Sequence, residues 1–458
     1  MNPGITIIGL GPGGADLLTR QAWEILSSVS EIHVRTAEHP AVNGLPANLQ
    51  VRSFDNLYEE SDSFEEVYSR IVDQVLTLGS RSNGVVYGVP GHPFIAEATT
   101  PEIVRHARSR EIPVKIVEGI SFIEPALTLI GVDPFPQTSL VDALILGKLH
   151  HPPFPPNAPA LIAQVHSRAV ASEVKLTLMA VYPDDHPVKL VHGAGTNQAF
   201  VEELALFEID RARQTGLQTS LFVPPLEETA SFESFQEIVA HLRAPEGCPW
   251  DREQTHKSLR PFLIEEAFEL VAALDAEDSK STREELGDLL LQIVLHAQIG
   301  SELGEFTMVD VLKGIHEKLV RRHPHVFGDL VLTDADRVVE NWEKLKTAER
   351  AKEGEDADAL AGISVALPAL FQTQTYQDRA ARAGFDWGPR EGLKEKIAAG
   401  LKSLESNDSP EKIEVQLGDL LFSVVDLARR LDVDAESALR EANARFREWF
   451  ASHRSREG

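Results

Sequence analysis

The sequence predicts a multidomain chain, with a two-lobed α/β domain at the N-terminus followed by an all-α helical bundle in two repeats. Three observations point there. The 458 residues are about three times the ~150 of a typical domain. Short β-branched runs alternate with helical stretches up to residue 223, and such runs become scarce after Ser231. The helical part also repeats itself: Glu285-Leu286-Gly287-Asp288-Leu289-Leu290 returns 131 residues later, from 285 to 416, as Gln416-Leu417-Gly418-Asp419-Leu420-Leu421.

In chain order, strands are expected at Ile5–Ile8, Glu31–Val34, Val85–Tyr87, Val114–Val117, Ala143–Leu146, Ala160–Val165, Lys189–Val191 and Gln218–Phe222. Helices are expected at Leu17–Leu26 and Ser63–Leu78. The proline-rich segment His150–Pro159 fits neither a helix nor a central strand, and reads as the connection between two lobes. The domain reading is therefore 1–223 for the α/β domain, 224–240 for a linker, 241–356 for the first helical repeat and 357–458 for the second. The polar, acidic stretch 351–358 suits a linker between the repeats.

Composition narrows the function classes. A chain 43% hydrophobic and 25% charged folds into ordinary globular domains. With 44 Lys+Arg against 71 Asp+Glu, the net charge is −27 and both halves are acidic, which disfavours nucleic-acid binding through bulk charge. Anionic substrates remain open where divalent cations neutralise them. Cys248 is the single cysteine, so neither an intrachain disulfide nor a cysteine-based zinc site is expected. No basic segment precedes the apolar Ile5–Leu10, and no apolar run approaches ~18 residues. The expected protein has no membrane span and a cytoplasmic location.

The chemistry concentrates in the first repeat. Glu266 and Glu269 are i,i+3 neighbours on one expected helix, and Glu285 and Asp288 are i,i+3 neighbours on the next. The polar turn Ala276–Ser281 lets the two helices pack antiparallel, so four carboxylates converge. At about 100° per residue, leucines flank both Glu285 and Asp288, and the helix from Leu286 to Ile299 is apolar almost all round. It therefore reads as a buried core helix. Acidic groups on helices usually form a solvated face, but buried carboxylates need a counter-charge. No lysine lies between Leu286 and Ile299, so a hard divalent cation is the better explanation, Mg²⁺ first and Mn²⁺ next. Further on, Lys318, Arg321 and Arg322 end a helix. They suit either the helix dipole or a triphosphate clamp.

Gly247-Cys248-Pro249-Trp250-Asp251, the Glu-Glu-x-x-Glu and Glu-x-x-Asp pair, Arg321-Arg322-His323-Pro324-His325-Val326-Phe327 and Gly384-Phe385-Asp386-Trp387 closely resemble the MazG nucleoside triphosphate pyrophosphohydrolases. The resemblance covers roughly residues 236–458. It implies an all-α dimeric bundle that binds Mg²⁺ and hydrolyses an NTP to the monophosphate and pyrophosphate, with water attacking phosphorus, most simply the α. It implies Glu266, Glu269, Glu285 and Asp288 as metal ligands, Lys318, Arg321 and Arg322 as phosphate contacts, and Trp250 near the base. Glu265 would orient water or a ligand, or stand as an exposed neighbour. In the second repeat Gln416 replaces Glu285, and Ala399, Gly400 and Ser403 stand at the positions of Glu265, Glu266 and Glu269; only Asp419 is kept. This repeat is expected to be catalytically dead and retained for packing.

Gly9-Leu10-Gly11-Pro12-Gly13-Gly14 joins a strand to a helix and satisfies G-x-G-x-x-G. A dinucleotide fold also wants an acid at the end of the second strand, and that strand ends in Arg35-Thr36, so NAD is disfavoured. With Tyr87-Gly88-Val89-Pro90-Gly91-His92-Pro93-Phe94 and Val117–Phe122, the loop resembles the tetrapyrrole methylases over residues 3–223. That resemblance implies two α/β lobes holding S-adenosylmethionine between them, with Pro12, Gly91, His92, Ile95, Ser121 and Phe122 at the cofactor. His92 stands where the family usually has Asp.

The whole order, methylase-like domain then tandem MazG modules, looks like bacterial MazG-family proteins of the YabN type. The leading expectation is an Mg²⁺-dependent NTP pyrophosphohydrolase with an attached S-adenosylmethionine-binding domain, homodimeric through its helical half. The alternatives are a methyltransferase with a regulatory, dimerising helical half, and an N-terminal ligand sensor without catalysis of its own.

Overall fold

The computed structural model of the chain describes residues 4–454 apart from 62, 228–229, 336, 339–340, 343–344, 346–359, 361 and 405–408. The stretch 351–358 read as an inter-repeat linker lies outside the described residues. Two compact units are present, Met1–Ile238 and Val239–Gly458.

The first unit contains two five-stranded sheets. Strands β1 (Ile5–Gly9), β2 (Glu31–Val34), β3 (Gln50–Ser53), β4 (Val85–Val89) and β5 (Val114–Val117) form a parallel sheet in the order β3-β2-β4-β1-β5. Helices α1 (Arg20–Ser28), α2 (Asp55–Glu60), α3 (Phe64–Gly79) and α4 (Thr99–Ser109) link its strands. Both faces are covered. Ile5, Ile7 and Tyr87 pack with Ile71, Val75 and Ile103, while Ile8, Ile32 and Val86 pack with Ala22 and Leu26. Burial on both faces explains why the central strands β1 and β4 read as near-continuous apolar runs. The strand order reverses between β4 and β1, which opens a crevice beyond their carboxyl ends.

The second sheet, in the order β6-β7-β10-β8-β9, is mixed. It comprises β6 (Ser139–Asp142), β7 (Ala160–Ala163), β8 (Pro187–His192), β9 (Phe200–Ala205) and β10 (Thr219–Val223), with β6 parallel to β7 and the other pairs antiparallel. Helix α5 (Ile123–Ile130) places Ala126 and Ile130 against one face. The other carries α6 (Ala143–Leu146) and α7 (Arg168–Leu178).

Two expectations fail here. Ala143–Leu146 is a helical turn, because the Asp142 carboxylate accepts from Leu144 N at 2.7 Å and Ile145 N at 3.3 Å and so caps it; the strand is the four residues before. The segment His150–Pro159 does not join the lobes. It lies between α6 and β7, inside the second lobe, and the chain passes between lobes after β5, through α5. The expected linker 224–240 also contains the start of helix α8 (Phe232–Arg243), opened by reciprocal Ser231–Ser234 hydrogen bonds of 2.8 and 3.1 Å.

The second unit is helical: α9 (Pro249–Glu253), α10 (His256–Asp275), α11 (Ser279–Leu303), α12 (Met308–Arg322), α13 (Pro324–Phe327), α14 (Ala369–Arg382), α15 (Arg390–Ser403), α16 (Pro410–Arg430) and α17 (Ala435–Arg454). Helices α10 and α11 pair antiparallel across the turn after Asp275, and α15 and α16 repeat that pairing. The Asp278 carboxylate caps α11 by accepting from Lys280 N and Ser281 N. Gly304, in the left-handed region at φ 71°, ends it.

The expectation of a core helix over 286–299 holds only in its second half. Val294, Leu295, Ala297 and Ile299 are buried, but Leu286, Leu290 and Ile293 are 52, 38 and 43% exposed. Helix α10 covers one side of α11, and the i, i+4, i+7 stripe on another side is left partly exposed by the described residues.

At the crevice of the first sheet, a Cβ on Gly119 would stand 2.4 Å from the Gly91 carbonyl oxygen and 2.8 Å from Gly9 Cα. These are backbone atoms and cannot swing aside. Gly119→Ala is expected to destabilise the first unit by about 2 kcal/mol, read as a lowered calorimetric midpoint. Gly216→Ala, with nothing within 4 Å, should leave that midpoint in place.

Candidate functional site

The acidic cluster of the second unit forms where α10 and α11 run side by side. Glu266, Glu285 and Asp288 each place a carboxylate oxygen within 4.8 Å of the others, the one such trio of possible metal ligands among the described residues. Oxygens sharing an Mg²⁺ at ~2.1 Å stand roughly 3–4 Å apart, so small side-chain adjustments bring all three onto one ion. The donor set is all hard oxygen and fits that class of cation. Glu269, the expected fourth ligand, is not part of the trio, although its charge acts on both Glu266 and Glu285.

Electrostatics show what holding these groups together costs. Partial desolvation, then the charges of Asp288, Glu269, Glu285 and Glu265, raise the Glu266 pKa above the usual carboxylate range. Glu285 is raised by desolvation first, then by Glu269, Asp288 and Glu284. Both remain partly exposed, so burial among leucines is not what sets this site apart; carboxylate crowding is. The neighbouring charges are all acidic. Lys318 and Arg321 are exposed on α12, and the Arg322 guanidinium lies 5.7 Å from the Trp342 ring centroid. Glu265 is exposed beside Glu266. Trp250, 54% exposed, meets Phe262 edge-on at 6.1 Å, one helical turn before Glu266.

Two supports escaped the sequence reading because their partners are distant in the chain. Arg243 grips Glu302 with two hydrogen bonds of 2.9 and 2.7 Å and also donates to the Asp251 and Gln254 carbonyls, fixing the Trp250 loop to α11. Gly247 is required there, since its Cβ would lie 2.3 Å from the His241 and Leu242 carbonyl oxygens. His256 and His296 join the far ends of α10 and α11 through an Nδ1–Nδ1 hydrogen bond of 2.7 Å. Their rings are parallel to 3° with centroids 5.0 Å apart, as an in-plane imidazole pair sharing one proton requires.

In the second repeat the equivalent helices close without an acidic cleft. A Cβ on Gly400, which stands at the Glu266 position, would already meet the Leu420 side chain at 3.2 Å. Asp419 has no acidic trio around it among the described residues.

The crevice of the first unit brings together loops that follow β1, β4 and β5. Gly11 and Gly91 form an antiparallel bridge, with N–H···O distances of 3.3 and 2.8 Å. The Gly195 backbone of the second lobe lies so close that a Cβ there would reach the Pro12 ring at 2.6 Å. His92 Nδ1 accepts from Phe94 N at 3.1 Å, the turn-holding bond that an Asp carboxylate makes to the residue two ahead, and Ile95 N closes the turn on the His92 carbonyl. Histidine thus reproduces the structural part of an aspartate at this position. Ser121, 1% exposed, accepts from Ile123 N and donates to Glu124, and Phe122 packs at the start of α5. Ser121 and Phe122 therefore lie where the chain leaves the first sheet for the second lobe.

Behind this crevice, Arg35 pairs with buried Glu97, whose other oxygen accepts from Thr99 N and the Thr99 hydroxyl, and that hydroxyl contacts Tyr87. Burial, with the Arg35 charge nearby, pushes His39 down to about 4, so neutral His39 supports the Gly11 backbone.

Models of two known families match the chain: the MazG nucleotide pyrophosphohydrolase domain at residues 254–327, and the tetrapyrrole (corrin/porphyrin) methylases at residues 4–210. The Bacillus subtilis protein YabN is 40% identical over 461 residues, covering 98% of this chain and 92% of its own. A Thermotoga maritima nucleoside triphosphate pyrophosphohydrolase/pyrophosphatase MazG is 47% identical over 219 residues, covering 48% of this chain and 84% of its own. An Escherichia coli nucleoside triphosphate pyrophosphohydrolase is 41% identical over 219 residues, or 46% and 83% of the two chains. No helix among the described residues is long and apolar enough to cross a membrane.

The two units should respond oppositely to acid. Raised pKa values mean that folded Glu266 and Glu285 hold protons more tightly than the unfolded chain does. Their contribution is favourable below the ordinary carboxylate range and is lost as pH rises through the raised values. Without divalent cations, the thermal midpoint of the helical unit is expected to fall as pH rises above the ordinary carboxylate range, and Mg²⁺ at pH 7 should restore it. His39 has the reverse sign: its stabilisation is present above about 6.5 and is lost towards its depressed value, a difference of roughly 3 kcal/mol in the first unit. Calorimetry across this range with and without EDTA reads both trends; a common pH response of the two units would contradict the assignment.

Proposed function

Because the chain belongs to the MazG nucleotide pyrophosphohydrolase family, with a tetrapyrrole methylase domain ahead of the MazG part, we propose that it hydrolyses nucleoside triphosphates to monophosphate and pyrophosphate. The observation that carries this reading is the Glu266–Glu285–Asp288 trio, a crowd of like charges that a bound cation would relieve.

The trio would hold the ion, with Glu269 one turn beyond Glu266 completing its surroundings as the charges adjust. Bound there, Mg²⁺ or Mn²⁺ supplies Lewis acidity, neutralising triphosphate charge and acidifying water. The chain's own groups do the rest. Exposed Glu265 would orient water or a ligand. Trp250 offers an aromatic face for the base one turn from Glu266. Lys318, Arg321 and Arg322 are phosphate contacts on the neighbouring helix α12.

A homodimer through the helical unit fits the uncovered apolar surface. The Leu286–Leu290–Ile293 stripe and the exposed Leu312, Ile315 and Leu319 of α12 lie on helices that already border the site. A second copy would cover them and bring further basic side chains to the carboxylates. The first unit would bind S-adenosylmethionine at the crevice formed by Pro12, Gly91, His92, Ile95, Ser121 and Phe122. The Gly11–Gly91 bridge and the His92 turn support that reading by presenting backbone groups there. The second repeat would serve packing without hydrolysis.

Asp288→Asn or Glu266→Gln in the full chain is expected to lower pyrophosphate release from NTPs with Mg²⁺ by at least about 100-fold, with far-UV circular dichroism unchanged. Near-normal turnover in either variant, or activity that survives excess EDTA, would remove the metal-site reading. Calorimetric titration with S-adenosylmethionine should show binding that Gly91→Val abolishes, and that this variant's phosphohydrolase activity does not share.

A further inference from the structure

Helix α11 buries a side-chain amide among its apolar residues. Gln292 is 6% exposed, in the half of the helix that also buries Val294, Leu295, Ala297 and Ile299. Its Oε1 is buried and has no hydrogen-bond partner among the described residues. The same holds for Nε2 of His296, one turn further on. An amide oxygen without a donor is unfavourable in an apolar core, so this glutamine asks for a reason other than packing.

Its place on the helix supplies one. Asp288, Gln292 and His296 follow at i, i+4 and i+8, and at about 100° per residue they project within about 80° of one another. Both flanking members face α10: Asp288 brings a carboxylate oxygen within 4.8 Å of Glu266, and His296 Nδ1 meets His256 Nδ1 at 2.7 Å. Gln292, between them, faces α10 as well. Side chains on a helix lean towards its N-terminus, which directs the Gln292 amide at the turn that carries Asp288. Amide–carboxylate pairs at this spacing form hydrogen bonds. On the other side, a His256 that donates its Nδ1–H leaves His296 accepting at Nδ1 and carrying its own proton on Nε2. That N–H is the donor Gln292 Oε1 lacks.

The second repeat shows that the fold does not need this amide. By the 131-residue offset, Gln292 and His296 fall on Ser423 and Leu427, while Asp288 falls on Asp419. Ser423, 3% exposed, satisfies itself by donating its hydroxyl to the Asp419 carbonyl at 2.9 Å. The same turn of the same helix is thus buried without an unpartnered polar atom at Ser423. The repeat that lacks the acidic trio also lacks the amide and the imidazole behind it.

We propose that Gln292 is a positioning residue for the cation site: its Nε2–H donates to one oxygen of Asp288, and its Oε1 accepts from His296 Nε2–H. The inference rests on the metal-site reading of the acidic trio. Gln292 touches neither cation nor substrate. A carboxylate held on one oxygen presents the other in a fixed direction, which lessens the ordering needed when a cation binds. The row Asp288–Gln292–His296–His256 then ties that direction to the bond joining the far ends of α10 and α11.

The test is calorimetric titration of the metal-free full chain with Mn²⁺, without nucleotide, on the wild type, Gln292→Met and Asp288→Asn, beside the metal-free thermal midpoint of each. Gln292→Met keeps the side-chain length and removes both amide functions. Mn²⁺ is expected to bind it about tenfold or more weakly. Its midpoint should stay in place or rise, because an unpartnered amide has left the core. A glutamine kept for packing alone would lower the midpoint and leave the Mn²⁺ affinity as it was. Gln292→Leu serves the same comparison if the methionine variant does not fold. Wild-type affinity in the Gln292 variant overturns the proposal; if Asp288→Asn loses binding in the same series, the metal site stands without it. A wild-type chain that binds no Mn²⁺ overturns both.

Discussion

Crowding of like charges between α10 and α11 is the constraint around which the helical unit is organised. Each helix contributes carboxylates at i,i+3 spacing, and the tight turn capped by Asp278 forces the helices side by side. Partial desolvation, and then the mutual repulsion of these carboxylates, make Glu266 and Glu285 hold protons more strongly than free acids do. Helix packing pays that cost elsewhere: the buried Val294, Leu295, Ala297 and Ile299, the Arg243–Glu302 grip and the His256–His296 bond all lie on the far half of the pair. Apolar packing and repulsion are thus separated along one helix. Stability sits at one end and the site at the other, which leaves the acidic end free to respond to a cation.

The α/β unit solves a different problem, bringing three backbone segments close enough to build a cleft without side chains filling it. Gly9, Gly91 and Gly119 meet at the carboxyl ends of the central strands, where a methyl group on Gly9 or Gly119 would collide with the Gly91 carbonyl oxygen. The positions around them are held from behind by polar groups that never reach the opening: His39 on Gly11, and the Arg35–Glu97–Thr99 chain beneath the loop from Gly91 to Glu97. Arg35 occupies the place where a dinucleotide fold keeps its ribose-binding acid, and its guanidinium is committed to an internal carboxylate. The crevice therefore offers chiefly backbone hydrogen-bonding groups.

Much of this was legible in the sequence, for identifiable reasons. The central parallel strands announced themselves because both faces are buried, so Ile5–Ile8 carries uninterrupted β-branched residues and Val85–Tyr87 is apolar throughout. The edge strands Gln50–Ser53 and Phe200–Ala205 did not, being short or half polar. Ala143–Leu146 was misread because four apolar residues fit a buried strand as well as a helical turn, and the deciding feature was the Asp142 cap before them. The carboxylates were found because their spacing is local. Arg243 with Glu302 and His256 with His296 are 59 and 40 residues apart, and no local pattern encodes such pairs. Burial around Glu285 was overestimated because a helical wheel counts apolar neighbours without saying what covers them.

The two repeats show how one helix pair supports opposite solutions. In the first, Glu266 and its partners keep the helices lined with acid, and the leucines beside them are left partly uncovered. In the second, Gly400 lets α15 settle on Leu420, the acidic gap closes, and the polar groups move down α16 to Asp426. A relic kept only for packing would be expected to replace charge with apolar contacts wherever it is buried. This repeat did the reverse at Asp426, Arg429 and Arg430, spending three charged side chains to fix the Trp387–Gly388 backbone. Loss of the acidic trio explains why the second repeat need not bind a metal. It does not explain the new ion triad, whose Arg430 holds the Trp387–Gly388 backbone in place.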